Sequence, residues 1–150
     1  MELSDLYSQK ILDLAGNALQ PPRLAKANAS ARKVSRVCGS VVEVDLKIEN
    51  GVIVAYGHAV SACALGQTSA AVVAREIVGT PVDEFRQLSA QMHAMLKQDG
   101  APPSGKWSDL AYLEPVRDYR ARHMSTLLVF DAVVEALEKI ESAASVTAGG

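Results

Sequence analysis

Along residues 3–15, Leu6, Tyr7, Ile11 and Leu14 recur at helical spacing, which predicts an opening amphipathic helix with Ser4 placed to cap it. Gly16 is a natural stop, and Pro21-Pro22 prevents the helix from continuing. Residues 25–37 are small and weakly patterned, the profile of a loop feeding an edge strand. The pattern then changes to strict alternation. Val42, Val44, Leu46 and Ile48 interleave with Glu43, Asp45, Lys47 and Glu49, as in a strand with one buried and one wet face. Asn50-Gly51 follows, a pair that tolerates the positive φ of a tight hairpin turn, and residues 52–60 return as the partner strand. Simple register across that turn sets Val42 beside Ala59 and brings Cys38 and Cys63 to one edge of the sheet. The same register puts His58 on the face opposite Ile53, unless a bulge near Gly57 reverses it.

From Gly66 the period becomes helical. Residues 67–78, rich in Ala and Val, form a helix that Gly79 ends. Thr80 is positioned as the next cap, with Pro81 at the first helical position and Asp83 and Glu84 at the positive helix end. Val82, Phe85, Leu88, Met92 and Leu96 make that helix's apolar face. Residues 100–105 are a Pro/Gly loop, and 107–113 a short helical turn. A long last helix is expected from about residue 117, after Pro115, to about residue 140. Leu127, Val134 and Leu137 give it a broad buried face, flanked by Phe130 and Val133. Strands first and helices later predict an α+β domain: a small antiparallel sheet of about three strands, packed on one face by several helices and closed by a long C-terminal helix. Residues 1–141 form the single domain, and 142–150 are expected as a flexible tail.

Length and composition narrow the function. With 150 residues there is room for one domain, and 49% hydrophobic content argues against a disordered chain. A formal net charge of -2 offers no general attraction for nucleic acid or anionic membrane surfaces. No apolar run approaches a bilayer span, and the first ten residues, mixed and carrying Glu2 and Asp5, are neither a signal nor a transit peptide, so a cytoplasmic location is expected. Two cysteines make no disulfide framework. In a reducing compartment they are free thiols or metal ligands, the plain alternative being two small packed hydrophobes.

The settings of those cysteines carry the chemistry. Cys38-Gly39 sits at a strand-to-strand corner, where glycine permits a tight turn and leaves the thiol uncrowded. Cys63 stands immediately before a helix, and the positive end of a helix favours thiolate, the form that binds soft metals or attacks sulfur. His123-Met124 opens the buried run of the last helix; a histidine there suits zinc or iron, or else bonds to backbone. His93 is expected in solvent. Arg117, Arg120 and Arg122 form a basic strip, read as a solvated helix face or a docking surface. No phosphate-binding Gly loop and no serine nucleophile elbow are present.

Taken in order, these segments resemble the NifU N-terminal, IscU and SufU family of iron–sulfur cluster assembly scaffolds. The resemblance runs from about residue 6 to residue 140. Tyr7-Ser8-Gln9-Lys10-Ile11-Leu12 is similar to the family's opening Tyr-x-x-x-Ile/Val-Leu, and Val37-Cys38-Gly39-Ser40 to its Cys-Gly-Asp motif. Asn50-Gly51 matches the family's hairpin turn, and Ala62-Cys63-Ala64-Leu65-Gly66 the cysteine turn that leads into a helix of small residues. Arg122-His123-Met124-Ser125-Thr126-Leu127 falls where the family carries its third cysteine. The long segment between Cys63 and that point resembles the SufU branch. The resemblance implies that Cys38, Cys63 and His123 hold the metal, with Ser40 where the family has a ligating Asp and Met124 where it has the third Cys. It further implies a scaffold or carrier, not an enzyme in the turnover sense, that receives sulfur from a cysteine desulfurase and passes iron or an iron–sulfur cluster to apo-proteins. Two other readings remain open: a zinc-bound sulfur acceptor acting through Cys63 or Cys38, and a degenerate, metal-free partner-binding homologue.

Overall fold

The computed structural model describes residues 8–36 and 39–149, and side chains as far as residue 140. The elements run α1 (Gln9–Gly16), β1 (Ala29–Val34), β2 (Val41–Glu49), β3 (Val52–Ser61), α2 (Ala64–Glu76), α3 (Val82–Lys97), a 3-10 segment (Gly105–Asp118), a 3-10 turn (Arg120–Arg122) and α4 (His123–Gly149). The α+β architecture expected from the pattern is present: a three-stranded antiparallel sheet in the order β1-β2-β3, with helices on one face and a long helix last. α4 packs on β1 and β2, α2 packs on β3, and α1 and α3 pack on those helices. α4 runs from His123 to Gly149.

Alternation in β2 dictates the sheet's two faces. Val42, Val44 and Leu46 are fully buried against the helices and join Ile53, Leu65, Phe85, Met92 and Phe130 in one apolar core. Each such side chain removed from water contributes about 1.5–3 kcal/mol. The hairpin turn at Asn50-Gly51 forms as expected, with φ of 53° and 75°. The register differs from the simple one. A shift between Lys47 and Ile48 leaves Val54 as the extra residue, so Ile48 pairs with Ile53 but Lys47 pairs with Ala55, and Val42 meets Val60, not Ala59. The bulge therefore lies three residues before Gly57. It puts Tyr56 opposite Leu46 and His58 opposite Val44, on the core face with Ile53.

The sheet's other face is not left wet. Residues between α1 and β1 cross it as a strap, along the row Ser30–Asp45–Gly57. Arg23 Nε donates to Asp45 Oδ2 at 2.5 Å and its Nη2 to Oδ1 at 2.9 Å, while its Nη1 reaches Glu43 Oε2 at 2.7 Å. Leu24 N–H and the Ser30 hydroxyl also donate to Asp45. The Arg23 guanidinium, with help from Ser30 and Leu24, holds the Asp45 carboxyl down at about 2 although burial opposes it. Gly57 is required in this row: a Cβ there would lie 2.2 Å from the Pro22 carbonyl oxygen. The strap is also tied to β3 by His58 N–H donating to Pro21 O at 3.2 Å.

Three helix boundaries depart from expectation. α1 starts after Ser8, whose extended backbone and hydroxyl, accepting from Ile11 N–H at 3.3 Å, make it the cap; Ser4, Leu6 and Tyr7 lie outside the described residues. α3 is capped by Pro81, not Thr80. Residues 80–82 instead extend the sheet, with Ile53 N–H donating to Thr80 O and Val82 N–H to Gly51 O at 2.9 Å each. The last α-helix begins at His123 and not near Arg117, because Gly105–Asp118 winds as 14 residues of 3-10 helix. Trp107, Leu110, Leu113 and Val116 are its buried residues, at a spacing of three that gives one apolar stripe in a helix of three residues per turn.

Candidate functional site

The two sheet ends that flank the expected cysteines meet. Val41 pairs with both Val34 and Ser61, so the β1–β2 corner and the end of β3 share one edge. In the corner, Gly39 has φ of 71° and donates to Ser35 O at 2.8 Å, and Ser35 N–H donates to Ser40 O at 2.8 Å. Ser40 is buried. Cys38 lies outside the described residues.

Cys63 is the N-cap residue of α2, half-buried, with extended backbone and no side-chain cap bond. Its Sγ lies 3.6 Å from Ser125 Oγ, on the first turn of α4. That hydroxyl can accept from a thiol or donate to a thiolate. Two features set the distance. Gly66 lets α2 approach α4: a Cβ there would lie 3.2 Å from Ser125 O and 2.8 Å from Ala62 Cβ. Ser69 on the next turn donates to Thr126 O at 2.8 Å and locks the helices at that spacing. The α4 side chain against Cys63 is thus Ser125, a residue the sequence reading passed over in favour of its neighbour. Met124 is 48% exposed and lines a cavity with Leu96 and Leu127 instead.

His123 is buried, and its Nε2 lies 3.1 Å from Val116 O and 3.0 Å from Arg117 O. Two carbonyl acceptors require the hydrogen on that nitrogen, which fixes the tautomer and leaves only Nδ1 with a lone pair. The ring pins the end of the 3-10 segment to the start of α4. His93, expected in solvent, is half-exposed and paired with Asp131 at 2.7 Å. His58 is buried: its Nδ1 is 2.9 Å from Tyr56 Oη and its ring bonds the Leu19 carbonyl. Burial lowers the His58 pKa in spite of that bond. The expected arginine strip is divided, since Arg117 pairs with Glu114 at 3.2 Å and donates to Gly100 O at 3.3 Å. Among the described residues, no three His, Cys, Asp or Glu side chains converge on a possible metal position, and no helix is long and apolar enough to cross a membrane.

The NifU-like N terminal domain family matches residues 6–125 of this chain. The iron–sulfur cluster assembly scaffold protein IscU of Thermotoga maritima is 27% identical over 135 residues, which are 90% of this chain and 94% of that one. The crystal structure of a nitrogen-fixing NifU-like protein (N-terminal) from Brucella abortus superposes with a TM-score of 0.90 at 46% identity, covering 93% of this chain and 97% of that one. A putative scaffold protein for the SUF system from Fervidobacterium islandicum has the same fold, with a TM-score of 0.81 at 19% identity over 91% of this chain and 99% of that one.

Proposed function

This chain belongs to the NifU-like N-terminal domain family, and from that premise we propose that it is an iron–sulfur cluster assembly scaffold or carrier. Its cargo is iron or a cluster, held by the thiolates of Cys63 and Cys38, supplied with sulfur by a cysteine desulfurase and passed to apo-proteins. The observation that carries this reading is Cys63 at the open N-terminus of α2, facing α4 at the sheet edge where β2 starts and β3 ends. Unpaired N–H groups at a helix start favour a bound anion, whether thiolate or sulfide-bridged cluster. Ser40 and Ser125 offer neutral hydroxyls, weaker donors than carboxylate or thiolate, so the cargo is held loosely, as handing it on requires. His123, expected as a third ligand, acts in this reading as the anchor of the α4 start, because its Nε2 is committed to two carbonyls.

The test is anaerobic reconstitution of the whole chain with iron and sulfide, followed by visible absorption and metal analysis on the same sample. The expected product is brown, contains iron and sulfide, and is lost in Cys63→Ala while the circular dichroism spectrum stays unchanged. A colourless protein with stoichiometric zinc would support the sulfur-acceptor role instead. Metal retained in full by Cys63→Ala, or no metal in either protein, would overturn the scaffold reading.

A further inference from the structure

A second site lies on the other side of the α4 start. A cavity of about 580 Å³ opens between the C-terminal half of α3, the turn before α4 and the first turns of α4. Its wall has two characters. Leu96, Leu127, Ala121 and Met124 make an apolar side, while Lys97, Arg117 and Arg120 make a cationic one. Two carboxylates also line it, and both are engaged: Asp131 by His93 at 2.7 Å, and Asp99, at the rim, by Arg117 at 3.6 Å. Lys97 and Arg120 are exposed and make no ion pair among the described residues. The Nε of Arg117 is buried without a hydrogen-bond acceptor among those residues. Arg117 also pairs with Glu114, so the two cations lacking counter-charges are Lys97 and Arg120. A concave pocket that sets such cations beside apolar surface suits a ligand that has both an apolar body and a negative group.

We propose that this cavity binds a small organic anion, its carboxylate or phosphate held by Lys97, Arg117 and Arg120 and its body against Leu96 and Leu127. The proposal does not rest on the cluster reading, since neither Cys63 nor the β1–β2 corner takes part.

Calorimetric titration of the full chain with four probes tests it: benzoate and phenyl phosphate, each an anion on an apolar ring; inorganic phosphate, the anion alone; and benzamide, the ring without the charge. Binding of either ring-bearing anion is expected, and which of the two binds assigns carboxylate or phosphate. Benzamide should not bind. The Lys97→Ala/Arg120→Ala double variant, both positions being exposed and unpaired, should keep its melting curve and bind about tenfold or more weakly. Lys97→Arg/Arg120→Lys should restore affinity. The proposal is overturned if neither ring-bearing anion binds, if inorganic phosphate binds as tightly as they do, or if the double variant binds like the parent. Binding of a glutamate-rich peptide, titrated as a fifth probe, in place of both small anions would overturn it in favour of a protein partner.

Discussion

At the scale of single residues, one position of helix decides which α4 side chain meets Cys63. Successive residues on an α-helix point about 100° apart, so a reading off by one turns from one face to another. Met124 and Ser125 show this: the first lines the cavity beside α3 and the second touches Cys63. Ser125→Cys would place a second thiol against Cys63, and we expect it to slow loss of reconstituted iron to a chelator by about tenfold or more. A rate equal to the parent's would show that the α4 face does not contribute to the cargo site. His123→Gln should leave iron stoichiometry unchanged while lowering stability by about 1–2 kcal/mol in chemical denaturation, through the loss of a buried donor to two carbonyls. Loss of iron without loss of stability would make His123 a ligand after all. Cys63 was legible because a cysteine before a helix of small residues has a chemical meaning in sequence. Ser125 was not, because its only signal is a set of small residues, Gly66, Ser69 and Ser125, whose meeting depends on how two helices cross.

At the scale of elements, the hairpin and the long helices were readable from periods of two and about four. What escaped was a period of three: Trp107, Leu110, Leu113 and Val116 mark a 3-10 segment that is unusually long and so lies outside ordinary expectation. The face of His58 stayed open in the sequence because bulges carry little signal, and the bulge at Val54 turns it to the core. The strap shows an electrostatic latch with a definite pH range. Asp45 titrates at about 2 when folded and at 3.8 ordinarily, so its contribution is fully present above 3.8 and is lost as pH falls through that value towards 2. Acid unfolding followed by circular dichroism should therefore show a steep loss of stability between those values that Asp45→Asn abolishes, the variant being less stable at neutral pH. Matching acid curves for the two proteins would remove the latch from the account.

Across the whole molecule, the strap and the sheet are joined through His58, which bonds Tyr56 on its own strand and Leu19 in the strap. Burial lowers its pKa below the ordinary 6.5, so the unfolded chain binds the proton more readily. Stability should thus be constant above that value and decline as pH falls below it, within the window between 6.5 and the lower folded value. Denaturant midpoints from pH 7.5 to 5 check this, with His58→Gln expected to flatten the slope; a parent midpoint independent of pH would contradict it. Molecular shape was the most legible level, because one alternating strand, one Asn-Gly turn and a long apolar helix leave few ways to bury their faces together.

The strap also sets an order of events during folding. The hairpin closes around neighbours in sequence, whereas the Arg23–Asp45 bond closes a separation of 22 residues and pays the larger chain entropy. Chain entropy therefore favours the β2–β3 ribbon as the earlier contact, and a chain with the ribbon closed and the strap open has the outer face of its sheet bare. What β2 shows on that face is Glu43, Asp45, Lys47 and Glu49, a charged row with an acidic excess, and not a stripe of valines. The carboxylates that later fasten Arg23 thus act first as gatekeepers, repelling other copies of the same nascent ribbon until the chain covers itself.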